Sequence, residues 1–331
     1  MSAAVLLKDN LDGATEVAPP ADAAAMPAAP AEEAKSPRRL KLPAAGQVFE
    51  ALWPPMVGIG VFLALWAVLA PMVETSLGAL PGPGDVWTAF LGLMEENAAA
   101  RAEAAVAEAA GQMYSGPPTF IDQIFTSLET VALGFVFASL VAVPLGLVAG
   151  MSKRVNAAIN PLVQVMRPIS PLAWLPIVTM VVSASITSDD PALPKSFVIS
   201  AIVVMMCSLW PTLINTAVGT ASIDKDLLNV ARVLKLGWFA KLRRLVLPSA
   251  LPYIFTGMRL SLGVGWMVLI AAEMLAQNPG LGKFVWDEFQ NGSEKSLARI
   301  MVAVVVIGLI GVMLDRIMMA LQALASRNRT V

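Results

Sequence analysis

Ala51 to Val73 contains no charged residue, and neither does Val131 to Ser152. A run of twenty or more such residues, wound as a helix, crosses about 30 Å of hydrocarbon. Four further apolar runs follow: Pro161 to about Ala184, Ser196 to about Gly219, Leu251 to Ala276, and about Ala298 to Leu321. The fold class this predicts is all-α, a polytopic membrane protein with about six transmembrane helices. Composition agrees, with 57% apolar residues, 14% charged residues and a mean hydropathy of +0.70, outside the usual range of a soluble domain.

Several functions are excluded on residue inventory. The 331 residues include no histidine, which removes the usual general base and metal ligand. Cys207 is the single cysteine and lies inside an apolar run, so neither a disulfide framework nor a thiolate metal site exists; it reads as a small buried hydrophobe. The 18 methionines read as flexible packing. A formal net charge of −1 provides no field for nucleic acid. Gly280-Leu281-Gly282-Lys283 lacks the hydroxyl residue that completes a P-loop, so no nucleotide cofactor is expected on this chain.

Along the chain, residues 1–45 are rich in Ala, Pro and Glu without periodicity, and read as a disordered tail. No basic region followed by an apolar stretch opens it, so a signal peptide is not expected. Residues 46–113 hold the first span, the turn cluster Leu80-Pro81-Gly82-Pro83-Gly84 and an Ala- and Glu-rich surface helix from about Asp85 to Met113. Residues 114–326 hold the remaining spans. The third opens with Arg167-Pro168-Ile169-Ser170-Pro171-Leu172-Ala173-Trp174-Leu175-Pro176, whose prolines remove backbone donors and predict a broken helix. Lys and Arg concentrate before the first span, at 153–154, at 225–244 and at Arg327 and Arg329, whereas Arg101 stands alone between Glu74 and Ile121. The positive-inside rule therefore puts both termini and the basic loops in the cytoplasm.

Between the fourth and fifth spans lies a basic amphipathic stretch, Leu227 to Pro248, within a loop of residues 220–248. Lys225, Arg232, Lys235, Lys241, Arg243 and Arg244 cluster there. Leu227, Ala231, Leu234, Trp238, Leu242 and Leu245 recur at helical spacing. Gly237 interrupts the face and Pro248 is expected to stop it, giving two short helices with a turn. Tied to a span at each end, the stretch suits either docking to a soluble partner or lying among lipid headgroups.

This stretch resembles the cytoplasmic EAA loop of bacterial ABC importer permeases: an acid followed by two alanines, a glycine four residues on, and a hydrophobic-x-Leu-Pro close. Asn229-Val230-Ala231 matches the opening at Ala231, and Val246-Leu247-Pro248 matches the close. Asn229 replaces the acid, and Lys235 stands where the glycine is expected. Leu80-Pro81-Gly82-Pro83, the Arg167–Trp174 segment, Leu247-Pro248-Ser249-Ala250-Leu251-Pro252 and Gly257-Met258-Arg259-Leu260 resemble the nitrate/sulfonate/taurine/bicarbonate class. Asn229 to Leu234, Pro252 to Gly257 and Ala271 to Leu275 look most like its nitrate permeases. Glu129 departs from the basic residue expected there. The resemblance implies a MetI-like permease of the inner membrane, paired with a second copy or a close relative. It implies two cytoplasmic ATPase subunits carrying the ATP and Mg, and a periplasmic substrate-binding protein. Asn229, Ala231, Arg232, Leu234, Lys235, Gly237, Trp238 and Pro248 would form the ATPase-coupling loop.

Within the spans, Arg259 lies roughly 12 Å into the fifth at 1.5 Å per residue. A charge there faces a cavity or a partner, so Arg259 is a candidate for drawing an anion into the pathway, against a structural pair or snorkelling. Arg167 and Trp174 are further pathway candidates, against an interfacial arginine and a packing tryptophan. Glu129 and Glu273 would repel an anion and are expected to cap helices, bond other spans or meet the binding protein. Gly257, Ser261 and Gly265 form a small-residue stripe for tight helix contact. The leading reading is the permease of an ATP-driven small-anion importer, nitrate first (or nitrite or cyanate), with taurine, alkanesulfonate or bicarbonate as alternatives. A stand-alone carrier or channel using Arg259, Glu129 and the broken third span is the other class. A membrane-embedded enzyme lacks the residues for its chemistry.

Overall fold

The computed structural model describes residues 45–327 apart from 76–77, 113, 115, 187–193 and 294. The expected tail therefore lies outside the described residues except for Ala45, as do Asp189, Asp190 and Arg329. The chain divides into two units, residues 1–57 and 58–331. The described part of the first is helical and includes Pro54 and Pro55.

The helices are α1 (Ala45–Leu69), α2 (Pro83–Ala109), α3 (Phe120–Met151), α4 (Lys153–Met166), α5 (Pro171–Ser185), α6 (Lys195–Ala221), α7 (Lys225–Val233), α8 (Trp238–Lys241), α9 (Leu247–Ala276), α10 (Leu281–Asn291) and α11 (Ser296–Arg327). A two-residue hairpin, β1 (Glu74–Thr75) with β2 (Gly78–Ala79), separates α1 from α2. Among the described residues, five helical stretches are long and apolar enough to cross a membrane, and six if α4 and α5, bent by 100° at their break, count as one span. The sequence expectation of six spans holds.

Capping residues explain several boundaries. Asp85 accepts the Gly82 amide at 2.9 Å, and Pro83 needs no amide partner, so α2 begins there rather than at Asp85. Thr119 and Asp122 exchange hydrogen bonds in a capping box at the start of α3. Arg101 of α2 donates to the same Asp122 at 2.6 Å, tying the two helices together.

α6 is the central element, packed between α3 and α9. Its buried Ser200, Val204, Ser208, Thr212, Thr216 and Thr220 recur every four residues. Against them lie Gly134, Ala138, Ala142, Gly146 and Gly150 of α3, also every four. A Cβ on Gly146 would come within 2.6 Å of Thr216 Cβ and 2.8 Å of the Leu213 carbonyl oxygen. On the other side, Gly257 of α9 approaches Thr212 and Gly265 approaches Ser208. In lipid, where water exclusion drives no helix association, such backbone proximity is a main source of helix affinity.

Ser261, between those two glycines, does more than leave room. Its hydroxyl accepts the Thr212 amide at 3.0 Å and donates to the Ser208 carbonyl. It thus bridges one rung of the α6 backbone ladder beside Pro211, which has no amide to give.

These contacts fix direction. Position 134 meets 201, and 150 meets 220, so α3 and α6 run parallel. Position 257 meets 212, and 265 meets 208, so α9 is antiparallel to α6. The chain must then cross back between α3 and α6. With 14 and 15 residues, about 21 and 22 Å, α4 and α5 manage this only as a pair.

Two sequence expectations fail. Pro248 does not stop a helix: helical backbone continues from Trp238 to Ala276 through a π-helical turn at Leu242–Val246, with Pro248 in the first turn of α9. The wider turn and the terminal position together absorb the missing amide and the ring. Helix α10 was not anticipated; its eleven residues fall below the length of a span, and the left-handed cap at Gly292 is its clearest sequence mark.

Gly146→Ala is expected to destabilise the folded chain by about 1–3 kcal/mol through overpacking, despite alanine's better helix propensity. Gly308→Ala, where a Cβ meets nothing within 4 Å, should stabilise by about 0.5–1 kcal/mol. Unfolding midpoints in detergent check both signs.

Candidate functional site

The turn between α7 and α8 is built from the residues that the sequence singled out. Asp224 caps α7 through the Asp226 amide at 2.9 Å. The helix ends at Leu234, and Lys235 takes a left-handed conformation with φ 49° while the Leu236 amide reaches back to the Ala231 carbonyl at 3.0 Å. This is a helix C-terminal motif that glycine ordinarily serves. Gly237 has ordinary extended geometry and begins α8. The turn therefore sits where the resembled pattern has its glycine, and a lysine occupies it at a steric cost.

The side chains of this segment divide into an anchor and a face. Ala231 is buried, while Leu228 and Leu242 pack with Ile223, Val246, Ala250 and Ile254. Asn229, Arg232, Leu234, Lys235, Gly237 and Trp238 are exposed, and Pro248 is half-buried. The Asn229 side-chain oxygen accepts from Arg232 at 3.0 Å. Val233, Leu234, Trp238 and Phe239 are 81, 64, 60 and 67% exposed, flanked by Arg232, Lys235, Arg243 and Arg244. The face of Leu227, Leu234 and Trp238 thus points away from the helix bundle; the anchoring residues are Leu228, Ala231, Leu242 and Val246.

Arg259 does not stand free. Its Nε and Nη2 both donate to Asp315 of α11, the second bond at 2.9 Å. Arg167 is exposed at the end of α4, and Trp174 is half-buried against the cluster of Leu175, Val178 and Val182. The space beside Arg259 is walled by α9 and α11 and holds no residue of α4 or α5. The structure therefore sets Gly257, Ser261 and Gly265 of α9 together against α6, and leaves Arg259 apart from Arg167 and Trp174.

At the opposite end of the bundle, Glu273 is fully buried. Its carboxylate accepts the Ser127 hydroxyl of α3 and the Gly282 amide of α10, each at 2.9 Å. Ser127 in turn accepts the Leu281 amide at 2.9 Å. One carboxylate thus binds the first turn of α10 to α3 and α9, where a negative charge complements a helix start. A Cβ on Gly280 would fall 2.2 Å from that carboxylate. Glu129 is exposed. Nearby, Arg299 of α11 pairs with Glu96 of α2 at 2.7 Å and with Glu288 of α10 at 2.9 Å. Glu288 and Arg299 escaped sequence reading because their partner helix α10 did. Among the described residues, no group of acids and thiols is arranged to hold a metal ion.

Residues 142–329 match the family described as "Binding-protein-dependent transport system inner membrane component". The chain belongs to this family. It is a transport component of a multi-pass membrane system rather than an enzyme. The nitrate import permease protein NrtB of Synechococcus elongatus is 33% identical over 270 residues, covering 80% of this chain and 86% of the relative. The bicarbonate transport system permease protein CmpB of the same species is 34% identical over 293 residues, covering 85% and 92%. A solved inward-facing structure of the MetNI methionine ABC transporter superposes with a TM-score of 0.52 at 12% identity, over 62% of this chain and 95% of its own. That likeness establishes the MetI-like fold of this permease.

Replacing Lys235 by Gly is expected to stabilise the turn by about 1 kcal/mol, because a left-handed β-carbon-bearing residue costs about 1–2 kcal/mol. Hydrogen exchange at the Leu236 amide should slow about fivefold.

Proposed function

We propose that this chain is the transmembrane subunit of an ATP-driven importer of a small anion, with nitrate the substrate and bicarbonate the second reading. The exposed apolar and basic turn at Val233–Phe239 carries the proposal. It is tethered between α6 and α9, so a partner that grips it pulls on the two helices that form the bundle centre. The matched relatives are permeases of nitrate and bicarbonate systems, and the bicarbonate permease covers as much of the chain as the nitrate one.

In this reading, both termini and the α7–α8 turn face the cytoplasm, following the distribution of Lys and Arg. Two ATPase subunits each receive one turn, from this chain and from a second copy, with lipid around the spans. Leu234, Trp238 and Phe239 enter a groove on the ATPase, and Arg232, Lys235, Arg243 and Arg244 set register around it. Closure of the ATPases on ATP moves the turn, and α9 tilts with it about its end at Glu273. A binding protein delivers the anion at the end where α2, α10 and Glu273 lie. Arg167, at the break between α4 and α5, is one exposed cation available to the pathway. Membership in a binding-protein-dependent family weighs against the stand-alone carrier.

The Leu234→Asp/Trp238→Asp double variant is expected to insert normally and to lose coupling. Hot-spot truncations cost about 2 kcal/mol or more, or about thirtyfold in affinity, so nitrate uptake and substrate-stimulated ATP hydrolysis should fall at least that far. Unchanged uptake in proteoliposomes would remove the turn as the docking element.

A further inference from the structure

Arg259 lies 12 residues after the start of α9, and Asp315 lies 12 residues before the end of α11. At 1.5 Å per residue each is about 18 Å from its helix end, well inside the stretch that crosses the membrane. Their side chains are nevertheless 43 and 38% exposed. An ion pair that open to hydrocarbon is costly, and intramembrane charges face water or protein instead. Beside the pair is a recess of about 240 Å³, walled by Leu262, Gly263, Trp266, Met267 and Gly311. Liquid water takes up about 30 Å³ per molecule, so the recess admits an ion of a few heavy atoms with some of its hydration.

The donor geometry suits an oxyanion. A guanidinium presents parallel N–H groups that match two oxygens of one anion. Asp315 uses one such edge, Nε and Nη2, through both carboxylate oxygens. Among the described residues Nη1 has no recorded partner, so the Nη1–Nη2 edge is open toward an incoming ion. Nitrate and bicarbonate carry the same flat pair of oxygens as a carboxylate.

Building on the anion-import reading, we propose that the recess between α9 and α11 is a transit site for small oxyanions. Arg259 holds the ion, and Asp315 is the built-in competitor that the ion must displace. A lone arginine in a low-dielectric setting would retain an anion. A carboxylate always ready to return lets it leave, and conduction needs both entry and exit. Asp315 thereby sets how briefly the anion stays.

The test uses the full-length chain in nanodiscs and the same chain reconstituted with its ATPase and binding protein. In nanodiscs, sodium nitrate at constant ionic strength should raise the unfolding midpoint of the native chain more than sodium chloride does. Asp315→Asn should lower the half-effective nitrate concentration about tenfold and slow uptake in the complex, because the ion now stays. Arg259→Met/Asp315→Leu replaces the pair by apolar groups of similar size, a change that folded proteins tolerate. That variant should fold and lose both the nitrate-dependent shift and at least nine-tenths of uptake. A purely structural pair predicts the reverse: Asp315→Asn lowers stability without moving the nitrate half-point, and the apolar double variant imports within twofold of the native chain. Either result overturns the inference while leaving the importer intact. Failure of the native complex to import nitrate or bicarbonate overturns the importer reading itself and this site with it.

Discussion

Close backbone approach on both sides of α6 is the constraint from which the rest of the bundle follows. Lipid offers apolar side chains nearly the same surroundings as a neighbouring helix, so leucine packing alone selects no partner. Glycines on α3 and α9 let backbone touch backbone, where dispersion contacts are dense and any added carbon collides. Three helices bound this way form a stiff slab, and their directions force the α4–α5 crossing. The Ser261 hydroxyl adds specificity, since it completes a backbone rung in α6 only when α9 sits at the right height.

The slab holds its charged residues at its two ends and at one intermediate level. Glu273 fastens α10 at one end, the exposed α7–α8 turn marks the other, and the Arg259–Asp315 pair lies between. Two charged groups inside the spans have partners with complementary geometry: Glu273 a helix start, Arg259 a carboxylate. Such pairing lowers the cost of holding a charge at depth.

Much of this was legible in the sequence because bilayer thickness leaves few alternatives. Charge-free runs gave the long helices, the proline cluster after Arg167 gave the broken span, and the four-residue spacing of Gly257, Ser261 and Gly265 pointed to a packing seam. Pairwise relations were not legible. Asp315 lies 56 residues from Arg259, and nothing in local pattern links them. Helix α10 is short and partly polar, so hydropathy passes over it. Periodicity marked the apolar face of the basic stretch but not which of its members anchor it: Leu227, Leu234 and Trp238 are exposed, whereas Ala231 and Leu242 pack toward the bundle. The stop expected at Pro248 failed because proline in an opening turn is compatible with a helix that continues around it.

The unbroken helical path from Trp238 to Ala276 spans 39 residues, about 58 Å. Its near end is the exposed tryptophan, and its far end, at Glu273, is bolted to two other helices. Such a rod cannot slide; a push at the tryptophan end must tilt it about the bolted end. The π-helical turn at Leu242–Val246 is the one place where the rod carries a surplus residue per turn. A change of winding there would take up small displacements of the tryptophan end, and only larger ones would reach the depth of Arg259.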